Sequence, residues 1–111
     1  MAGRIRGAKR RRRAMPIYVS LINWTDQGIR KVKETTKRAE AFQALAQKTK
    51  VKVREIHWTM GRYDVVVIME APDDQTISRL MLALGALGNV KTETLRAYSG
   101  KEMGEILKGM P

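Results

Sequence analysis

An α+β fold, one four-stranded antiparallel sheet with helices on one face, is predicted by three features of this 111-residue chain. Runs of period-two apolar alternation and runs of helical apolar spacing follow one another as strand, helix, strand, strand, helix, strand. The helical runs open on Thr, Ser or Asp cap chemistry. The two middle strands are separated only by Gly61 and Arg62.

From Pro16 to Asn23 a β-rich alternating run makes strand one, which ends near Trp24, where Thr25 and Asp26 supply a helix cap. Between Asp26 and Lys48, Ile29, Val32, Ala39, Phe42, Leu45 and Ala46 recur at helical spacing. Thr35 and Thr36 offer a break and a second cap, so a long kinked helix is expected. Val51 to Thr59 and Tyr63 to Glu70 form a hairpin, with Gly61 at the first central position of a type II′ turn. Pro72, Asp73 and Asp74 open a second helix with the stripe Ile77, Leu80, Met81, Leu84 and Leu87, and Gly88 with Asn89 gives a left-handed stop. Val90 to Tyr98 is strand four. Ser99 with Glu102 makes a capping box ahead of Met103, Ile106 and Leu107, so residues 99–111 read as a C-terminal amphipathic helix. The order βαββαβ is that of the ferredoxin-like fold, whose sheet runs 4-1-3-2.

With Gly61 and Arg62 as the turn, the expected register pairs Met60 with Tyr63, Trp58 with Val65, Ile56 with Val67 and Arg54 with Met69 on the core face. The other face then holds Thr59 across from Asp64, His57 across from Val66, Glu55 across from Ile68, and Val53, with Tyr18, Ser20 and Ile22 beside them. Half of that face is apolar, and two helices cover only one side of a sheet. A second copy is the simplest cover, so a homo-oligomer joined through Ile22, Val53, Val66 and Ile68 is expected.

Composition bounds the chemistry. The chain is long enough for one domain and too short for two. It has no Cys and a single His, which excludes disulfides, thiol nucleophiles, thiolate metal sites and a multi-histidine site within one chain. Absence of Cys fits a cytoplasmic protein, and no run of about 18 apolar residues exists for a membrane span. The formal charge is +11, but seven of the 22 basic residues precede Met15, leaving 15 basic against 11 acidic residues beyond it. Residues 1–14 are expected to be a disordered basic tail and residues 15–111 the domain. The arginines between positions 4 and 13 suit a phosphate backbone or an anionic membrane surface. A twin-arginine export signal is ruled out by Pro16 and by the alternation that follows. Equally, Met15 is a natural start and the tail an appendage without a role.

Several motifs resemble a known family: Met15-Pro16-Ile17-Tyr18-Val19, Trp24-Thr25-Asp26-Gln27-Gly28-Ile29, Trp58-Thr59-Met60-Gly61-Arg62-Tyr63-Asp64, Glu70-Ala71-Pro72-Asp73-Asp74 and Leu84-Gly85-Ala86-Leu87-Gly88-Asn89-Val90. In this order they resemble the GYD domain family from Met15 to the C-terminus, with Arg62 standing between the Gly and the Tyr-Asp of the eponymous motif. The resemblance implies a small ferredoxin-like domain of the dimeric α+β barrel type, without an assigned biochemical activity.

In a 4-1-3-2 sheet these motifs meet at one end. Asn23, Thr25, Asp26, Arg62, Tyr63, Asp64, Asn89 and Lys91 would surround the positive N-terminus of helix one, a place for a small carboxylate or phosphate. The plainer account is that Thr25 and Asp26 cap the helix, Gly61 makes the turn and Gly88 ends helix two. Asp64 and His57 could form an acid/base pair in a cleft between subunits. Alternatively Asp64 satisfies backbone N–H groups or cations of another subunit. Trp24, Trp58 and Tyr63 could stack a ring, although Trp58 and Tyr63 fall on the expected core face, and the seven Met read as packing. No metal cluster and no cofactor motif stands out. Three functions remain: a homo-oligomeric accessory or small-anion-binding domain, a small cofactor-free enzyme using Asp64 and His57, and nucleic-acid binding through residues 4–13.

Overall fold

The computed structural model describes residues 15–111, so the expected basic tail lies outside the described residues. The chain runs β1 (Ile17–Trp24), α1 (Asp26–Arg30), a 3-10 turn (Val32–Glu34), α2 (Thr35–Lys48), β2 (Lys52–Trp58), β3 (Val65–Glu70), α3 (Asp74–Ala86), β4 (Val90–Ala97) and α4 (Gly100–Lys108). The sheet order is β2-β3-β1-β4 with every neighbour antiparallel, the same arrangement as 4-1-3-2 counted from the opposite edge. Phe42 and Ala46 of α2 and Ile77, Leu80 and Met81 of α3 join Tyr18, Ile22, Val65, Val67 and Met69 of the sheet in one buried cluster. Both helices therefore cover the same face.

The expected long helix breaks where Thr35 stands, but more completely than a kink. Five residues of α1 give way to a 3-10 turn before α2 begins, and the start of α2 has no side-chain cap. The cap chemistry read from the sequence is present at the other helices. Asp73 accepts from the Thr76 N–H at 2.8 Å, and Ser99 and Glu102 form a reciprocal capping box.

The structure corrects the expected faces of the sheet. Tyr18, Ser20 and Ile22 lie opposite Met69, Val67 and Val65 and are buried in the core, not on the open face. β1 is apolar on both sides, so its alternation does not mark the inner one. The polar intruder Ser20 is satisfied by a 2.5 Å hydrogen bond to Thr94 across the β1–β4 ladder. In the hairpin, Trp58, His57, Ile56 and Glu55 pair with Val65, Val66, Val67 and Ile68 as expected, but a bulge follows. Arg54 is the extra residue, so Val53, not Arg54, faces Met69 and packs on the core. A one-residue slip exchanges the faces of everything beyond it. The turn is also wider than two residues, because Thr59 N–H donates to Asp64 C=O across residues 60–63 and leaves Met60 in solvent instead of the core. Gly61 has φ +100, the left-handed conformation the turn requires. The open face thus presents Ile17, Val19 and Leu21 of β1, Val66 and Ile68 of β3, and Leu95 of β4.

One guanidinium sets the attitude of α4. Arg96 reaches Glu102 at 3.1 Å, lies 4.6 Å from the Tyr98 ring centre and 5.8 Å from that of Tyr18, and bonds the Ala97 carbonyl. The Ser99 N–H and then Arg96 hold the Glu102 carboxyl below the usual glutamate range. Burial, followed by the 2.5 Å hydrogen bond to Asp74, pushes the Tyr18 phenol up to about 12, against a weaker pull from Arg96. Although α4 is held in place, Met103, Ile106 and Leu107 remain 46%, 43% and 53% exposed. Its apolar stripe finds no full cover among the described residues.

Candidate functional site

The motif residues do converge, and they do so as two latches. In the first, Thr25 caps α1 by accepting from the Gly28 N–H at 3.1 Å, while its hydroxyl donates to the Gly88 carbonyl at 2.6 Å and its own N–H to the Asn89 carbonyl at 3.0 Å. Gln27 Nε2 donates to the Leu87 carbonyl and to Asn89 Oδ1. Gly28 lies so close to the α3–β4 connection that a Cβ there would stand 1.9 Å from the Asn89 oxygen. The role of Gln27 and Gly28 in this junction is not visible in local sequence, because their partners lie about sixty residues away.

In the second latch, the Asp64 carboxylate accepts from the Trp24 N–H at 3.0 Å and from Asn23 Nδ2 at 3.3 Å. Asn23 Nδ2 also donates to the Arg62 carbonyl, and the Asp64 N–H donates to the Ile22 carbonyl. The Gly-Arg-Tyr-Asp turn is thereby sewn to the end of β1. Tyr63, expected in the core, instead reaches across the sheet to Glu93 at 3.1 Å with Arg62 6.0 Å from its ring centre. Lys91 is the register partner of Asn23.

Two expectations change in consequence. The Asp64–His57 pair is not formed: Asp64 is committed to β1, and His57 Nε2 meets Glu55 Oε1 at 2.8 Å on an exposed strand face. Proton transfer between them has no geometric basis in the protomer. The α1 N-terminus is a weak anion anchor, since five residues align few peptide dipoles. Asp26 adds a negative charge in that first turn. What the end offers to solvent is the pair of exposed cations Arg62 and Lys91, neither in an ion pair among the described residues.

Between the helix layer and the sheet, next to the first latch, lies a cavity of about 140 Å³. Trp24, Phe42, Trp58 and Leu84 are among its apolar walls, and among the described residues its polar lining comes from Thr35, Arg38 and Asn89. Trp58, expected to be core, is 43% exposed, and its indole N–H donates to Thr35 Oγ1 at 3.0 Å. The sequence carries a faint sign of the cavity in the two Trp residues that end β1 and β2, the strands on either side of β3.

Among the described residues no helix is long and apolar enough to cross a membrane. A model of the GYD domain matches residues 18–107. Over 95 residues the chain is 38% identical to a protein of Thermus thermophilus named "Glutamine synthetase and cystathionine beta-lyase binding protein", an alignment that covers 85% of this chain and 100% of the relative.

Proposed function

The chain belongs to the GYD domain family, and from that premise we propose that it is a homo-oligomeric accessory domain that holds other proteins. One observation carries this reading: two separate apolar surfaces, the open sheet face and the α4 stripe, are left without cover by the described residues. The sheet face of Val19, Leu21, Val66, Ile68 and Leu95 is broad and pleated, the shape that pairs with its own copy about a two-fold axis. The stripe of Met103, Ile106 and Leu107 is narrow and helical, the shape that enters a groove on a different protein. The partners are of the class named for the Thermus relative, namely glutamine synthetase and cystathionine β-lyase. Neither latch is assigned a catalytic step, because the polar groups of both are engaged in joining loops to strands.

Sedimentation velocity of the purified chain, alone and mixed with each purified enzyme, tests the proposal. A dimer alone and a faster co-sedimenting species with at least one enzyme are expected. Ile106→Lys with Leu107→Lys should abolish the second species and spare the dimer. A monomer at micromolar concentration sinks the self-association, and unchanged boundaries with both enzymes sink the accessory role.

A narrower reading, a small anion held at the motif-rich end, rests on Arg62 and Lys91, two exposed cations free of ion pairs among the described residues.

A further inference from the structure

The cavity beside the first latch is neither filled by the core nor used by the assembly just described. Protein interiors pack to the density of organic crystals, and voids much larger than a water are few. A void of about 140 Å³ is close to the roughly 150 Å³ apolar cavity that admits a single benzene ring. Three of its walls are themselves aromatic, Trp24, Phe42 and Trp58, and present ring faces and edges to an occupant. An apolar cavity of this kind gives a water molecule few partners, whereas a ring fits it by size and by surface.

The polar groups add a direction to the occupant. Arg38 donates through one guanidinium nitrogen to the Gly28 carbonyl at 3.0 Å and forms no ion pair among the described residues. Its remaining donors suit the two oxygens of a carboxylate. Thr35 accepts the Trp58 indole N–H, and its own hydroxyl proton has no acceptor among the described residues. We propose that this cavity is a binding site for a single-ring aromatic carboxylate, its ring between Trp24, Phe42 and Trp58 and its carboxylate on Arg38. The site lies within one protomer, so it does not depend on the assembly proposed above.

Both tryptophans of the chain line the cavity, so the emission of the unlabelled full-length protein reports occupancy directly. Three probes are titrated: phenylacetate, the neutral benzyl alcohol, and acetate, which lacks the ring. Phenylacetate is expected to change the emission saturably with a Kd below about 1 mM. Benzyl alcohol should bind at least about tenfold more weakly and acetate not at all. Ala39→Phe places a ring in the void and should abolish the response while circular dichroism shows the fold retained; Ala39→Leu serves the same purpose if the larger residue prevents folding. Arg38→Gln should bring phenylacetate down to the level of benzyl alcohol, and Arg38→Lys should restore part of the difference. No saturable change with phenylacetate to about 10 mM, an equal response to acetate, or an undiminished response in a folded Ala39 variant overturns the proposal.

Discussion

Three glycine-to-alanine substitutions, all within helices, should change stability with opposite signs, and the contrast tests the first latch. Alanine is favoured over glycine in a helix by up to about 1 kcal/mol. At Gly85 of α3 and Gly104 of α4 an added Cβ meets nothing within 4 Å, so both substitutions collect that gain. At Gly28 the Cβ would stand 1.9 Å from the Asn89 oxygen and 2.9 Å from its carbonyl carbon, both backbone atoms that cannot rotate away. Relief requires α1 and the start of β4 to separate, which breaks both the Thr25 N–H to Asn89 bond and the neighbouring hydroxyl bond to Gly88. Two hydrogen bonds at about 1 kcal/mol each, with overpacking of about 1 kcal/mol, outweigh the helical gain and leave a net loss of about 2 kcal/mol. In a domain of this size each kcal/mol moves Tm by about 4–8 °C. Thermal unfolding followed by circular dichroism at fixed protein concentration should show Gly28→Ala melting about 10 °C lower and the other two melting slightly higher. A Gly28→Ala protein within about 2 °C of wild type would show that the junction has room the structure does not display.

Asp64→Ala should destabilise by about 1–3 kcal/mol in urea unfolding, because it orphans the Trp24 N–H, whereas a change within error would make the second latch ornamental. Arg62→Ala and Lys91→Ala should leave Tm nearly unchanged, since exposed charges contribute little to folding; if this end holds an anion, a thermal shift of wild type with phosphate or citrate should be lost in them. Val66→Asp should convert the dimer to monomer or unfold it, read by light scattering, because pairing the sheets would bury an unpaired charge at a cost of several kcal/mol. Glu102 is held below its ordinary value, so its contribution is present at neutral pH and lost as pH falls through the folded-state value. Amide protection in α4 should therefore fade first below about pH 4, and protection surviving there would uncouple Glu102 from the helix. Tyr18 is raised to about 12, so its contribution is present below the ordinary tyrosine value and lost as pH rises toward 12. An ultraviolet titration should show a late phase that disappears in Tyr18→Phe.

The order of elements was legible because it is written in local signals. The caps at Thr25, Asp73 and Ser99, the left-handed glycines 61 and 88 and the stripe of α3 all act within a few residues of themselves. The inner face of β1 was not legible, since Ile17, Val19 and Leu21 are as apolar as Tyr18 and Ile22, and only the distant Thr94 makes Ser20 acceptable in a core. Nor did anything near Arg54 announce a bulge, which is decided by how β2 must curve against β3. The gathering of Asn23, Arg62, Tyr63 and Asp64 followed from topology, but their roles did not. Whether a carboxylate faces a ligand or a backbone N–H depends on where a chain some forty residues earlier ends its strand. The cavity escaped for a related reason: Trp58 reads as core by type, and only the packed helices show that it stops short of filling the space.

The bulge at Arg54 also bears on how large any assembly can become. β2 and β4 are the two borders of the sheet, where an unpaired ladder would ordinarily recruit another strand. β2 is kinked there and carries exposed Lys52, Arg54, Glu55 and His57, while β4 sets exposed Lys91 and Glu93 along its own border. Side-by-side addition of strands is thereby discouraged at both borders, so the self-association proposed above would be left to the broad face. Contact through a face about a two-fold axis would consume the face on both partners, so such a particle would close at a fixed number of chains and not lengthen into a fibre as its concentration rises.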